Sequence, residues 1–124
     1  MTAQNKPEPV SVTAPVISVN GNKARISSTI RMDGQDKVLW FEVDTAYQDY
    51  LSADVLDAFV TASVLPAILR GADIHPKGPM SSRLYYNLSN YAIPLLSDYL
   101  DKPRVTKLVP AELRPRIFGL RELP

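Results

Sequence analysis

Apolar side chains recur along this chain with two different periods, and the change falls near Asp44. Before it, residues 16–19 read as a short strand followed by Asn20-Gly21-Asn22, a tight-turn signal. Residues 24–32 alternate: Ile26, Ile30 and Met32 share one side with Ser28, while Arg25, Ser27, Thr29 and Arg31 share the other. A period of two is the mark of a strand with one buried face. Asp33-Gly34-Gln35-Asp36 supplies a second turn, since Gly34 accepts the positive φ such turns need. Residues 37–43 return with Leu39, Phe41 and Val43 on one face and Val38 and Trp40 on the other. The three segments predict an antiparallel meander.

Past Asp44 the period lengthens. A short helical turn carries Tyr47 and Tyr50, and Ser52 is placed to cap a helix over 53–70 that Gly71 closes. Pro66 inside that helix predicts a kink or break, because proline has no N–H and crowds the preceding turn. A short strand is expected over 72–75, ahead of the Gly78-Pro79 turn. Ser81 or Ser82 caps a second helix running to about Leu100, with Leu84, Leu88, Tyr91, Leu95 and Tyr99 as its core stripe and Pro94 as its interruption. Residues 104–109 read as the last strand. The expected fold is α+β: a three-stranded antiparallel meander followed by two αβ units, with helices packed on one face of a mixed sheet.

Of the eleven prolines, three lie before residue 16 and four after residue 102, which sharpens the ends of this picture. Residues 1–14 read as a disordered leader, 15–109 as a single α/β domain, and 110–124 as an extended arm. Leu113, Ile117, Phe118, Leu120 and Leu123 make that arm too apolar for a purely solvated tail, so it is expected to dock on this domain, on another chain or on a further domain.

At 124 residues the chain suits one core. A formal charge of +1 argues for neither nucleic acid nor a membrane surface, and scattered basic residues form no dense patch. No signal-peptide pattern opens the sequence, and no run of apolar residues is long enough to span a bilayer. The default location is therefore cytoplasmic. Absence of cysteine removes disulfides, thiolate metal sites and cysteine nucleophiles.

Candidate chemistry is thin. Asp33 and Asp36 flank a glycine, as calcium ligands sometimes do, but their spacing fits no EF-hand loop and aspartate is simply favoured in turns. Glu42 and Asp44 form an acidic pair that lacks a third convergent partner. His75 is the only histidine, and between Ile74 and Pro76 it reads as a strand-end residue rather than a base. Six tyrosines are denser than chance suggests, yet helical spacing alone accounts for most of their rings; a partner surface, where there is one, is expected at Tyr85 and Tyr86 with the arm residues Leu113, Ile117, Phe118 and Leu120. No catalytic residue, cofactor or metal ligand is assigned, and a protein partner or self-association is expected.

Several segments resemble a known group. LWFEV at 39–43, DAFV at 57–60, VLP at 64–66, GADI at 71–74 and SSRLYYNLSNYAIPLL at 81–96 resemble a region preceding the catalytic domain in bacterial PP-loop ATP-pyrophosphatase proteins, relatives of asparagine synthase and 7-cyano-7-deazaguanine synthase. The resemblance covers about half the chain. That family's ATP site is an SGGxDS-like loop, and nothing here matches it, so no catalytic residue carries over. The resemblance implies an accessory domain, either the front of a longer enzyme or a subunit that joins one. The alternatives are a free-standing interaction or small-ligand-binding module, or a small enzyme using Glu42, Asp44 or His75.

Overall fold

Residues 7–115 are described by a computed structural model, and its spine is the segment that alternates most strictly in sequence. Strand β3 (Lys23–Met32) buries Ala24, Ile26, Ser28 and Ile30 while the residues between them stay accessible. Strand β4 (Gln35–Asp44) returns antiparallel in unbroken register, from Lys23↔Asp44 to Met32↔Gln35. Both loop residues have positive φ, 55° at Asp33 and 74° at Gly34. This mirror-image turn matches the twist of the strands it joins.

Two short strands lie end to end along the other side of β3. Strand β2 (Val16–Asn20) pairs with its first half and β1 (Val10–Val12) with its last residues, both antiparallel. Pro15 interrupts the edge between them, and Thr13 repairs the gap. Its N–H donates to Thr29 O at 3.0 Å, and its Oγ1 accepts from Thr29 N–H at 2.9 Å. Ser28 Oγ donates to Thr13 O at 2.8 Å, which satisfies the buried hydroxyl.

Strand β1 corrects the expected leader over 1–14 at its residues 10–12, while residues 1–6 lie outside the described residues. Val10 and Val12 are fully buried, and β1 also pairs in parallel with β5 (Ile74–Pro76), so it is an interior strand. A Val-Ser-Val triplet is enough to bury one face, and the surrounding prolines bound the strand rather than prevent it. The sheet runs β4, β3, then β2 and β1 sharing one position, then β5.

Helix α1 (Asp57–Arg70) starts later than Ser52 predicts. Ser52 Oγ instead accepts from Asp54 N–H at 3.3 Å, and Leu56 is drawn into the core with its N–H donated to Pro79 O at 2.8 Å. Burial of one leucine, about 1.5–3 kcal/mol, outweighs a side-chain cap of about 1 kcal/mol. Of the kink or break expected at Pro66, the break is absent, since the helix runs through it as one element. Ala62, whose carbonyl loses that proline's missing donor, is exposed. Gly71 closes the helix in the left-handed conformation, φ 67°. Phe59, Val60, Ala67 and Ile68 join Val10, Val12, Ile26, Ile30 and Ile74 in one core between helix and sheet.

The second helical run holds a π turn just before Pro94. Helix α2 (Ser82–Asn87) passes into a π-helical turn, Leu88–Ala92, and then α3 (Ile93–Tyr99). Ile93 N–H reaches back five residues to Leu88 O. The strand expected over 104–109 reduces to a parallel bridge, Ile74↔Leu108. Asp73 diverts its neighbours, accepting from Lys107 N–H at 3.0 Å and Arg104 Nη2 at 2.8 Å. A small second sheet pairs β6 (Pro79–Ser81) in parallel with β7 (Glu112–Arg114), so the arm expected from residue 110 returns to its own domain at least through Arg114.

The architecture is a mixed α+β domain, as the periodicities predict. No helix among the described residues is long and apolar enough to cross a membrane.

Candidate protein-interaction surface

The π turn decides which aromatic residues meet solvent. Upstream, the inward positions follow helical spacing through Leu84 and the buried Leu88. The next inward residue is Ile93, five positions on, followed by Ser97. One extra residue in a turn rotates everything downstream by roughly 100°. Tyr91, Leu95 and Tyr99, assigned to the core by regular spacing, therefore face outward and are 60%, 69% and 80% exposed. Tyr86 joins them, its ring edge-on to Tyr91 with centroids 5.9 Å apart. Asn90 Nδ2 donates to Tyr86 O at 2.9 Å, steadying the backbone at the turn.

The partner surface expected from sequence is thereby shifted. Tyr86 belongs to the exposed row, while Tyr85 is half-buried against the core. Leu113 lies on β7 in register with Met80 of β6, and is 39% exposed. Ile117, Phe118 and Leu120 lie outside the described residues. Tyr91, Leu95 and Tyr99 were missed as surface residues. Pro94, which cannot donate to a preceding carbonyl, is the sequence feature that marks a register change nearby.

This helical run is held by a junction that spacing alone does not reveal. Ser81 caps α2, its Oγ accepting from Leu84 N–H at 3.1 Å. The same hydroxyl donates to Asp57 Oδ2 at 2.6 Å, and Ser81 N–H donates to Asp57 Oδ1 at 2.8 Å. One carboxylate in the first turn of α1 thus fixes the start of α2.

The titratable candidates do not converge. Asp33 pairs with Arg70 at 2.7 Å, and Asp36 with Arg31 at 2.9 Å. Arg31 is held more firmly protonated by its bond to Asp36 and then by its bond to Glu8. Glu42 pairs with Arg25 at 3.2 Å, and that guanidinium lies 3.7 Å from the centroid of the Trp40 ring. Asp44 caps the 3-10 turn Thr45–Tyr50, accepting from Ala46 N–H at 3.1 Å. Glu42 and Asp44 therefore have separate structural duties.

His75 lines a groove of about 410 Å³ with Asp73, Arg104, Gly71 and residues 7–9. Burial acts to raise the Asp73 pKa, but the Lys107 N–H, the Arg104 guanidinium and His75 together bring it below its ordinary value. Among the described residues, no three histidine, aspartate or glutamate side chains gather as a metal site would need. An apolar cleft of about 320 Å³ opens between β4 and α1, lined by Ile26, Phe41, Leu51, Val55 and Phe59. The Phe41 and Phe59 rings meet there at 5.5 Å.

Fold and surface together define a mixed α+β domain presenting an aromatic helix face. No family model, curated protein or solved structure matches the chain.

Proposed function

We propose that this chain is an accessory domain without catalysis of its own, which docks a protein partner on the face made by Tyr86, Tyr91, Leu95 and Tyr99. The supporting observation is the exposure of four large side chains in a row on one helical run. Tyrosine and leucine bring large contact area, and each tyrosine adds a polar tip that stays hydrated until a partner arrives. The partner class, a PP-loop ATP-pyrophosphatase-type ligase, comes from the sequence resemblance alone. In that version the domain supports the assembly of the ligase or shapes its substrate pocket.

The test is co-purification and calorimetric titration with such a ligase domain, using the chain and a Tyr91→Ser/Leu95→Ser variant. Loss of at least about tenfold in affinity with unchanged thermal stability is expected, since central apolar anchors dominate interfaces. Equal binding by the variant would remove this face from the proposal. Nucleotide turnover by the purified chain alone would remove its non-catalytic character.

The alternative, a small-ligand-binding module, is favoured by the cleft under Phe41 and Phe59. Saturable binding of a small aromatic probe, abolished by Val55→Asp, would support it over the docking proposal.

A further inference from the structure

The free edge of β4 carries an independent inference. Among the described residues β4 pairs only with β3; on the other side the five-residue β2 likewise pairs only with β3, so β4 is the longest open edge, while β5 is closed by the chain itself. There Ile74 N–H donates to Lys107 O, and Val109 N–H donates to Ile74 O, both at 2.9 Å. Strand β4 has no proline and no bulge, and its ten residues span about 33 Å. Long unprotected edges are templates for another strand.

The hairpin fixes which backbone groups of β4 point outward. A two-residue loop closes on a hydrogen-bonded pair, Met32↔Gln35, and bonded and non-bonded pairs alternate from there. Odd-numbered residues of β4 therefore bond to β3. Thr45 N–H continues this series by donating to Asn22 O at 2.9 Å. On the far side of β3, Thr29 O accepts from Thr13, as a residue not bonded to β4 should. Asp36, Val38, Trp40, Glu42 and Asp44 are left presenting N–H and C=O groups away from the sheet.

We propose that β4 pairs antiparallel with β4 of a second copy, with the twofold axis at Leu39. An antiparallel twofold sets even residues opposite even ones, so only a few centres are possible. An axis at Leu39 sets Val38 against Trp40 of the other copy, twice. These side chains are 62% and 45% exposed on the face without helices. It also sets Asp36 across from Glu42, each paired with an arginine of its own β3: Arg31, which Asp36 shares with Glu8, and Arg25. An axis at Trp40 would oppose Asp36 to Asp44, and Asp44 has no such arginine. An axis at Phe41 would oppose Val38 to Asp44 and Trp40 to Glu42, leaving the apolar pair unmade. Of these three registers, apolar pairing and electrostatics select the one centred on Leu39, which a heterologous strand would have to reproduce by its own sequence.

Because the sequence has no cysteine, the register is directly testable. Single variants Leu39→Cys, Trp40→Cys and Phe41→Cys are oxidised under identical conditions and run without reductant. Fast disulfide dimerisation of Leu39→Cys alone is expected, since residues facing each other in a non-bonded pair lie about 4.5 Å apart at Cα, within disulfide reach. Preferential cross-linking at residue 40 or 41, or at none, overturns the register. Sedimentation velocity on the unmodified chain and on Val38→Pro provides the second measurement. That proline deletes an outward N–H and touches no bond to β3. The intact chain is expected to dimerise, and the variant to dissociate at least about tenfold more readily, because the lost bond counts twice across the axis. A monomeric intact chain, or a variant that dimerises as well, refutes the pairing.

Discussion

Replacing Ser81 by alanine tests how the two helical runs are tied together. The hydroxyl is 2% exposed and makes two bonds, accepting from Leu84 N–H at 3.1 Å and donating to Asp57 Oδ2 at 2.6 Å. Loss of the cap costs about 1 kcal/mol, and loss of a bond to a charged carboxylate about 1.5–3 kcal/mol, so Ser81→Ala should cost roughly 2–4 kcal/mol. Asp57→Ala deletes the same hydroxyl bond and also strands Ser81 N–H, whose acceptor is Asp57 Oδ1 at 2.8 Å. Its cost should be similar. Both single variants lose the shared bond, so the double variant should cost about 1–3 kcal/mol less than their sum. Urea unfolding followed by far-ultraviolet circular dichroism measures all four proteins. Costs that add to within about 0.5 kcal/mol would refute the coupling, and with it the view that Asp57 sets the start of α2.

Two further outcomes follow from strand pairing and from Asp73. Deletion of residues 1–14, or Val12→Asp alone, should abolish cooperative unfolding, because burial of Val10 and Val12 contributes about 3–6 kcal/mol of a total near 5–15. A normal melting transition in the deletion would contradict an interior β1. Asp73 has a lowered pKa in the folded protein, so it binds protons less readily folded than unfolded. Its contribution is present above the ordinary aspartate value and is lost as pH falls through the lower, folded value. The stability gap between the chain and Asp73→Asn should be constant near neutral pH and close in strong acid. A gap that widens on acidification would reverse the sign.

The elements most legible in sequence were those that local chemistry decides. The β2–β3–β4 meander follows from strict alternation and from glycines at its turns, and Gly71 ends α1 where a left-handed cap was expected. What escaped was decided by partners far along the chain. Val10-Ser11-Val12 carries too little pattern to announce a strand until Ile74–Pro76 is beside it. Ser52 is a good cap in isolation, yet the burial of Leu56 moves the helix start past it. The aromatic face was misassigned for a different reason. Regular spacing assumes one helical register throughout, and the π turn before Pro94 changes that register midway. The Asp57–Ser81 junction joins residues on separate elements and has no local signature.

The placement of β1 also shapes how the molecule can be made. Its three residues sit between β3 and a strand that lies most of the described length away in sequence. During synthesis the meander can assemble early, but the first strand has no parallel neighbour until residues 74–76 emerge. Such non-local closure slows folding, and it leaves an apolar flank of the sheet uncovered in the meantime. A fusion joined at the amino terminus would be tethered beside the last-formed seam of the sheet, so its bulk would act on folding speed before it acted on anything else.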